Sequence, residues 1–436
     1  MSILRIRLIS ACTLIALLCG PFLMNAQTSD INPYSRYGIG DMGDQYGVQS
    51  FSMGQTGIAM NSWTATDSLT PYFINLKNPA SYYYNRITTF EAGLLYNTGQ
   101  FTTQGQTYKN NTASFAYFAM AFPVSKHFGA SIGLRPFTSV GYIINTSPNI
   151  DSIGIINNNY QGSGGINQAH LGVAYAPFKN LSIGFNLSYL FGNLTNTQNV
   201  VYSPNNGAFN SQVSENTDIR SFYLDYGIMY SHKIGSNSSI TIGATAALAS
   251  NINATYSLLS VSWVTAAPQT NIDTVQDSTV KGKLRLPLMI GGGITLKIRD
   301  KWTFTLDYTM QNWSQYEFFG QSENLNNSTQ MGFGVQYVPK RNIGKFFKRI
   351  HYRAGFYYTQ TYFDINNTAL NDYALTLGLG IPVGGNNIMM RTSMINLGLQ
   401  LGQMGTTANN LLQEDYIKLM FSFTFDDRWF VKRRYE

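Results

Sequence analysis

The chain has 436 residues and a formal charge of +7, from 29 Lys and Arg against 22 Asp and Glu; charged residues reach only 12% and aromatic residues 14%. That charged fraction is about half the soluble norm of roughly 25%, and the mild basic excess is scattered or sits in short turns, which argues against a nucleic-acid surface. Both cysteines, Cys12 and Cys19, lie near the start, so the rest of the chain has no disulfide, thiolate metal site or cysteine nucleophile.

Arg5 and Arg7 precede an apolar stretch from Leu8 to Met24, and Asn25-Ala26 stand before the polar Gln27. This succession is expected to be a secretory signal peptide over residues 1–26. Leu18 is too bulky to make Cys19 a lipoprotein site. No later run reaches about eighteen apolar residues, so no transmembrane helix is expected. Export, few charges, many aromatics and no spanning helix point together to a β-barrel of the bacterial outer membrane.

Residues 27–85 are rich in Gly, Asn, Ser and Tyr and show no sustained alternation. Tyr34, Tyr37, Tyr46, Phe51, Trp63, Tyr72 and Phe73 argue against disorder, and so long a structureless stretch outside a compact domain is unusual. The expected arrangement is an N-terminal hatch, or plug, packed in the lumen.

Residues 86–425 alternate with period two, as in Leu181, Ile183, Phe185, Leu187, Tyr189 and Phe191 against Ser182, Gly184, Asn186 and Ser188. The last segment is the clearest, with Ile417, Leu419, Phe421, Phe423 and Phe425 against Lys418, Ser422 and Thr424. Strand starts are expected near 87, 112, 128, 165, 180, 218, 239, 281, 301, 327, 350, 371, 387 and 415. The fold class is therefore all-β, a transmembrane antiparallel barrel of about 14 strands. Tight turns such as "PVSKH", "PFKN" and "IRDKW" suit the periplasmic rim, and the Asn, Ser and Thr-rich links at 194–216 and 256–280 suit long external loops. Residues 339–349 are expected to hold a basic amphipathic turn, and residues 426–436 a basic periplasmic tail.

The segment Ser52–Met60, "SMGQTGIAM", and the "NPAS" of Asn78, Pro79, Ala80 and Ser81 just before the first strand resemble the hatch of the FadL/TodX outer-membrane transport family. "LRLPLMIGGG" at 284–293 is similar to a Leu-Pro strand of that family. The opening "NPYSRYGIGD" and closing "DDRWFVKRRYE" are similar to its Bacteroidota, PorV-like branch. The resemblance implies a fourteen-stranded barrel that takes up fatty acids or aromatic hydrocarbons, or, in the PorV-like branch, the barrel subunit of a secretion apparatus.

Parity places Glu91, Arg135, Asp225, Arg285, Asp307, Arg353 and Arg391 on the lumen face. Charges there must pair or be solvated, so ion pairs to the hatch are expected, with Arg36, Asp41 and Asp44 as its candidates. Arg135 or Arg353 is the alternative site for a ligand carboxylate. His127, His170, His232 and His351 show no ligand spacing, and no serine is marked out by a neighbouring base, so neither a metal site nor enzyme activity is expected. Gly291-Gly292-Gly293 lacks the Lys-Ser/Thr of a phosphate loop and reads as close packing or room for the hatch.

Pro136 stands mid-strand in "GASIGLRPFTSVGYIIN", where it removes a ladder donor and restricts Arg135, so a bulge with lost pairing is expected. The family resemblance implies sideways release of ligand at a kink in the third strand. Arg135, Pro136, Phe137 and Thr138 are the corresponding candidates for a lateral gate. The expected function is passive uptake of small hydrophobic molecules with lateral release into the bilayer. The alternative is a barrel subunit that scaffolds an envelope protein complex for secretion or assembly. No cofactor is expected; the expected partners are outer-membrane lipid, a small hydrophobic ligand and envelope proteins.

Overall fold

The computed structural model describes residues 32–427 apart from 44–45, 63–72, 104, 152–153, 204–207, 265–270, 340–345, 366–367 and 384–392. The expected signal peptide, Asp44, Arg391 and nearly all of the C-terminal tail lie outside the described residues.

Alternating apolar and small polar residues build a wall of fourteen antiparallel strands. β1 is Thr88–Thr103, β2 Gln106–Pro123, β3 Phe128–Thr146, β4 Gly154–Phe178, β5 Leu181–Tyr202 and β6 Asn210–Ile234. β7 runs as Ser238–Ala247 and Ser250–Val264, and β8 as Asn271–Leu286 and Met289–Ile298. β9 is Trp302–Gln311, β10 Ser328–Tyr337, β11 His351–Ile365, β12 Thr368–Pro382, β13 Met394–Gly405 and β14 Gln413–Asp427. Each interrupted strand counts once, because β6 pairs with both halves of β7 and each half of β7 meets its own half of β8. The break in β8 falls at Pro287, which has no N–H to give.

The wall closes where β1 pairs with β14, from Thr88 opposite Asp427 to Thr102 opposite Gln413. On β14 the outward Ile417, Leu419, Phe421, Phe423 and Phe425 are exposed, while Ser422 and Thr424 are buried inside. That band faces lipid. At the short-turn end Trp302 packs on Tyr337 with ring centroids 4.3 Å apart, as in an interfacial aromatic girdle.

The two stretches expected as long loops are corrected. β5 and β6 stay paired out to Val200 opposite Ser211, and β7 and β8 out to Val264 opposite Asn271. Beyond the lipid the outward face need not be apolar, so alternation fades from the sequence while the ladder continues. For the same reason β2, β4, β6 and β8 begin at Gln106, Gly154, Asn210 and Asn271, earlier than the sequence pattern indicates.

A closed ladder predicts a heat-modifiable protein: in SDS an unboiled sample should migrate apart from a boiled one. Identical mobility on the gel would contradict closure.

Candidate functional site

The N-terminal segment packs against the inward face of the wall. Phe51, Met53, Ile58, Ala59, Ile74 and Tyr82 are all buried there. Pro79–Tyr84 is a 3-10 turn with proline at its start and Asn78 as its cap, Asn78 Oδ1 accepting from Ala80 N at 3.0 Å. Asn78 Nδ2 donates to Ile58 O at 2.7 Å and to the wall at Ile228 O, 3.3 Å. The NPAS stretch thus ties two parts of the hatch to β6.

Close approach of two backbones requires wall positions without a side chain. A methyl carbon at Gly184 would stand 2.5 Å from Pro79 C and 2.6 Å from Ala80 N; one at Gly355 would stand 2.5 Å from Met53 C. Inward glycines on other strands are filled in the same way: Gly227 faces Asn78, Gly243 and Gly293 face Ile58, and Gly398 faces Phe51. These glycines form a belt around the lumen, and the hatch lies on it.

The charges are arranged differently from the expected ladder of ion pairs. Asp307 is the anchor: its Oδ2 accepts from Gly57 N at 2.7 Å and Ile58 N at 2.9 Å and lies 3.4 Å from Lys77 Nζ. Glu91 accepts from Ile74 N at 3.3 Å and from Thr424 Oγ1 at 3.1 Å. Arg135 donates to Leu76 O at 3.3 Å and Gln168 Oε1 at 3.0 Å. Arg353 donates to wall acceptors, Gln336 Oε1 at 2.9 Å and Asn396 Oδ1 at 3.0 Å. Asp225 accepts from Asn186 Nδ2 at 2.7 Å, also within the wall.

Two assignments are corrected. Arg285 does not face the lumen: its neighbours Leu284 and Leu286 are buried, and its Nη1 pairs with Glu317 at 3.0 Å. The break at Pro287 resets the parity that the sequence pattern carried through it. Arg36 stands over the Tyr160 ring, 5.3 Å from its centroid, a cation–π contact rather than a hatch-to-wall ion pair.

Above Arg135 the wall has a seam. β2 and β3 pair only from Pro123 opposite Gly129 to Phe118 opposite Leu134. β3 stays paired to β4 out to Thr146, with a register shift between Pro136 and Thr138. Phe137, the extra residue of that bulge, is buried, its ring 5.8 Å from that of Tyr223. The edge of β3 that β2 leaves is taken by the hatch: Asp41 pairs with Ser139 and Met42 with Thr138, Gly43 N donates to Phe137 O at 3.2 Å, and Asn32 N to Gly141 O at 2.7 Å. Gly40 permits this approach, with a positive φ of 96° and no room for a Cβ beside Ser139 O.

Behind the seam lies a cavity of about 180 Å³, lined by Asp41, Met42, Gly43 and Asn110 among others; a smaller one of about 70 Å³ touches Arg135, Phe137 and Tyr223. Towards the long-loop end an aromatic cluster covers the lumen. Trp313 stacks on Tyr362 at 4.3 Å, Tyr362 OH donates to Gly40 O, and Leu412 N donates to Tyr34 OH at 2.8 Å.

Sequence reasoning missed Lys77 and most of the glycine belt; of the Gly291-Gly292-Gly293 run read as close packing or room for the hatch, Gly291 and Gly293 do face Ile58. A lone lysine in an irregular stretch carries no pattern; the other glycines do, recurring on the small-residue face of successive strands, and could have been read as a seat. Valine at Gly184 is expected to unseat the hatch, and Asp307→Ala to cost about 1–3 kcal/mol through two orphaned N–H groups and the lost ion pair of Lys77, which keeps its bond to Gln55 O. Limited proteolysis within residues 46–85 reads both: faster cleavage of a still heat-modifiable barrel is the expected result.

A family model described as BamG matches residues 7–436. No match is found among curated proteins. Among solved structures, the P. putida toluene transporter TodX is 15% identical with a TM-score of 0.57, covering 88% of this chain and 99% of that one. The Ralstonia pickettii toluene transporter TbuX is 12% identical, TM-score 0.55, over 88% and 98%. The CymD monoaromatic hydrocarbon channel is 12% identical, TM-score 0.51, over the same shares. At these identities the likeness is one of fold: a fourteen-stranded barrel of the FadL/TodX type. The match over nearly its whole length shows that the chain belongs to the BamG family.

Proposed function

We propose that the protein is an outer-membrane channel for passive uptake of small hydrophobic molecules, released sideways into the bilayer between β2 and β3. The observation that carries this reading is the seam, because it is the one stretch of wall described here where a cavity inside and lipid outside are separated by a short hatch strand rather than a continuous ladder. Arg135, Pro136, Phe137 and Thr138 form the gate on β3, and Asp41 to Gly43 latch it. Two paired residues and two further backbone hydrogen bonds are a weak closure beside a continuous β2–β3 ladder. The hatch, assigned to residues 27–85, keeps the lumen from leaking solutes.

Cavity size narrows the ligand class. An apolar cavity of about 150 Å³ holds benzene; by volume the space behind the seam has room for a single aromatic ring rather than a long acyl chain, with Asp41, Asp372, Glu414 and Lys418 among its lining residues. The structural relatives, two toluene transporters and a monoaromatic hydrocarbon channel, agree with that choice.

A second reading is favoured by the filled lumen. Ligand pockets commonly measure about 300–1,000 Å³, larger than either lumenal cavity, and the aromatic cluster covers the outer mouth. A barrel so filled suits a subunit that scaffolds an envelope protein complex, as its PorV-like opening segment implies.

Pro136→Val restores a ladder donor and is expected to close the seam, lowering uptake of toluene-sized compounds severalfold while stabilising the barrel. Unchanged uptake would sink the channel reading. A gentle pull-down from native membranes, with lipids and proteins analysed together, separates the two: stable envelope partners and unchanged uptake support the scaffold.

A further inference from the structure

The outward faces of β6, β7 and β8 change character at one height. On β6 the exposed Leu224 and Phe222 are followed, on the same face, by Arg220. On β7 the exposed Leu248 gives way to Asn251, Asn253 and Thr255. On β8 the exposed Ile294 and Ile290 lie below the Pro287 break, and Arg285, Lys283 and Lys281 lie above it. The register sets these residues in rows: Asn251 opposite Arg285, Asn253 opposite Lys283, and Thr255 between Asp218 and Lys281.

Arg285 is engaged by Glu317. Arg220, Lys281 and Lys283 are exposed, and among the described residues none of their side chains has a hydrogen-bond or ion-pair partner. Together with Asn253, Thr255 and Asp218, Arg220 and Lys281 line an external groove of about 400 Å³. Alternate residues on a strand face are only about 7 Å apart, so these cations begin where the apolar band ends. In a bilayer the polar headgroup region borders the hydrocarbon core.

We propose that this groove holds the phosphorylated sugar headgroup of an outer-leaflet glycolipid. Arg220, Lys281 and Lys283 take the phosphate oxygens, through charge-assisted hydrogen bonds that strengthen beside a low-dielectric layer. Asn253 and Thr255, central in the rows, bond the sugar hydroxyls. Phe222 and Leu248, just below, contact the first acyl carbons. A soluble anion would gain the charges but not this apolar floor.

The test uses the full-length protein in detergent, titrated with lipid A carrying two phosphates and followed by native mass spectrometry. The wild type is expected to retain one lipid A. The triple variant R220Q/K281Q/K283Q should lose at least about tenfold in occupancy, because each cation near an anionic surface contributes on the order of a severalfold factor. The charge-keeping pair K281R/K283R should retain the lipid, which separates loss of the site from loss of the fold, as does unchanged gel mobility of the unboiled triple variant. Dephosphorylated lipid A should bind the wild type no better than lipid A binds the triple variant. Equal retention of lipid A by wild type and triple variant would overturn the proposal, as would equal binding of the dephosphorylated lipid. Displacement by inorganic phosphate at equal concentration would assign the groove to a free anion and also overturn it.

Discussion

A peptide backbone can lie against a barrel wall only where the wall has no side chain in the way, and the rest of this structure follows from that contact. Gly184, Gly355 and their counterparts on neighbouring strands give the lumen a smooth belt, and the hatch lays its own backbone on it at van der Waals distance. Once the backbones are that close, a few polar groups suffice to fix the register. Asp307 takes two hatch N–H groups and a lysine, and Asn78 bridges hatch and wall. The ion pairs expected along the lumen are mostly replaced by hydrogen bonds between a charged group and an amide or carbonyl, which gives each buried charge a partner without needing an opposite charge in register, though among the described residues one oxygen each of Asp307 and Asp225 is left without one.

The seam is the second consequence. Pro136 cannot donate to a ladder, and Phe137 bulges inward, so β3 turns its upper half away from β2. In lipid, an open strand edge leaves polar groups unpaired at a cost of several kcal/mol each. The hatch relieves this on β3 by pairing Asp41 and Met42 with Ser139 and Thr138, so the segment that fills the lumen also closes the wall. The same segment therefore packs against the lumen face and pairs with the edge of β3.

Legibility in the sequence tracked what lipid enforces. β14 could be read residue by residue because its outward Ile417 to Phe425 must be apolar. The upper halves of β5 to β8 could not, because water and headgroups impose no such rule, and the ladder there was read as loop. Parity carried through Pro287 misplaced Arg285, since a strand break shifts the face of everything beyond it. Within the hatch, Asn78-Pro79 was read only as part of a family-like motif, and its role as helix cap and wall tie shows in the structure. Lys77 was not, because its partner Asp307 lies over two hundred residues away and nothing local marks the pair.

The most direct test of the account is a cysteine pair at Met42 and Thr138, which face each other across the hatch-to-wall ladder. Both native cysteines, Cys12 and Cys19, lie within the expected signal peptide, so an engineered pair is free of competing thiols. Directly opposed residues of an antiparallel pair lie about 4.5–5.5 Å apart at Cα, within disulfide range. In intact membranes the pair should oxidise without added catalyst, and in planar bilayers a reductant should then raise the permeability that the bond had held down. Failure of Met42→Cys and Thr138→Cys to cross-link in a heat-modifiable barrel would show that the hatch does not close the seam.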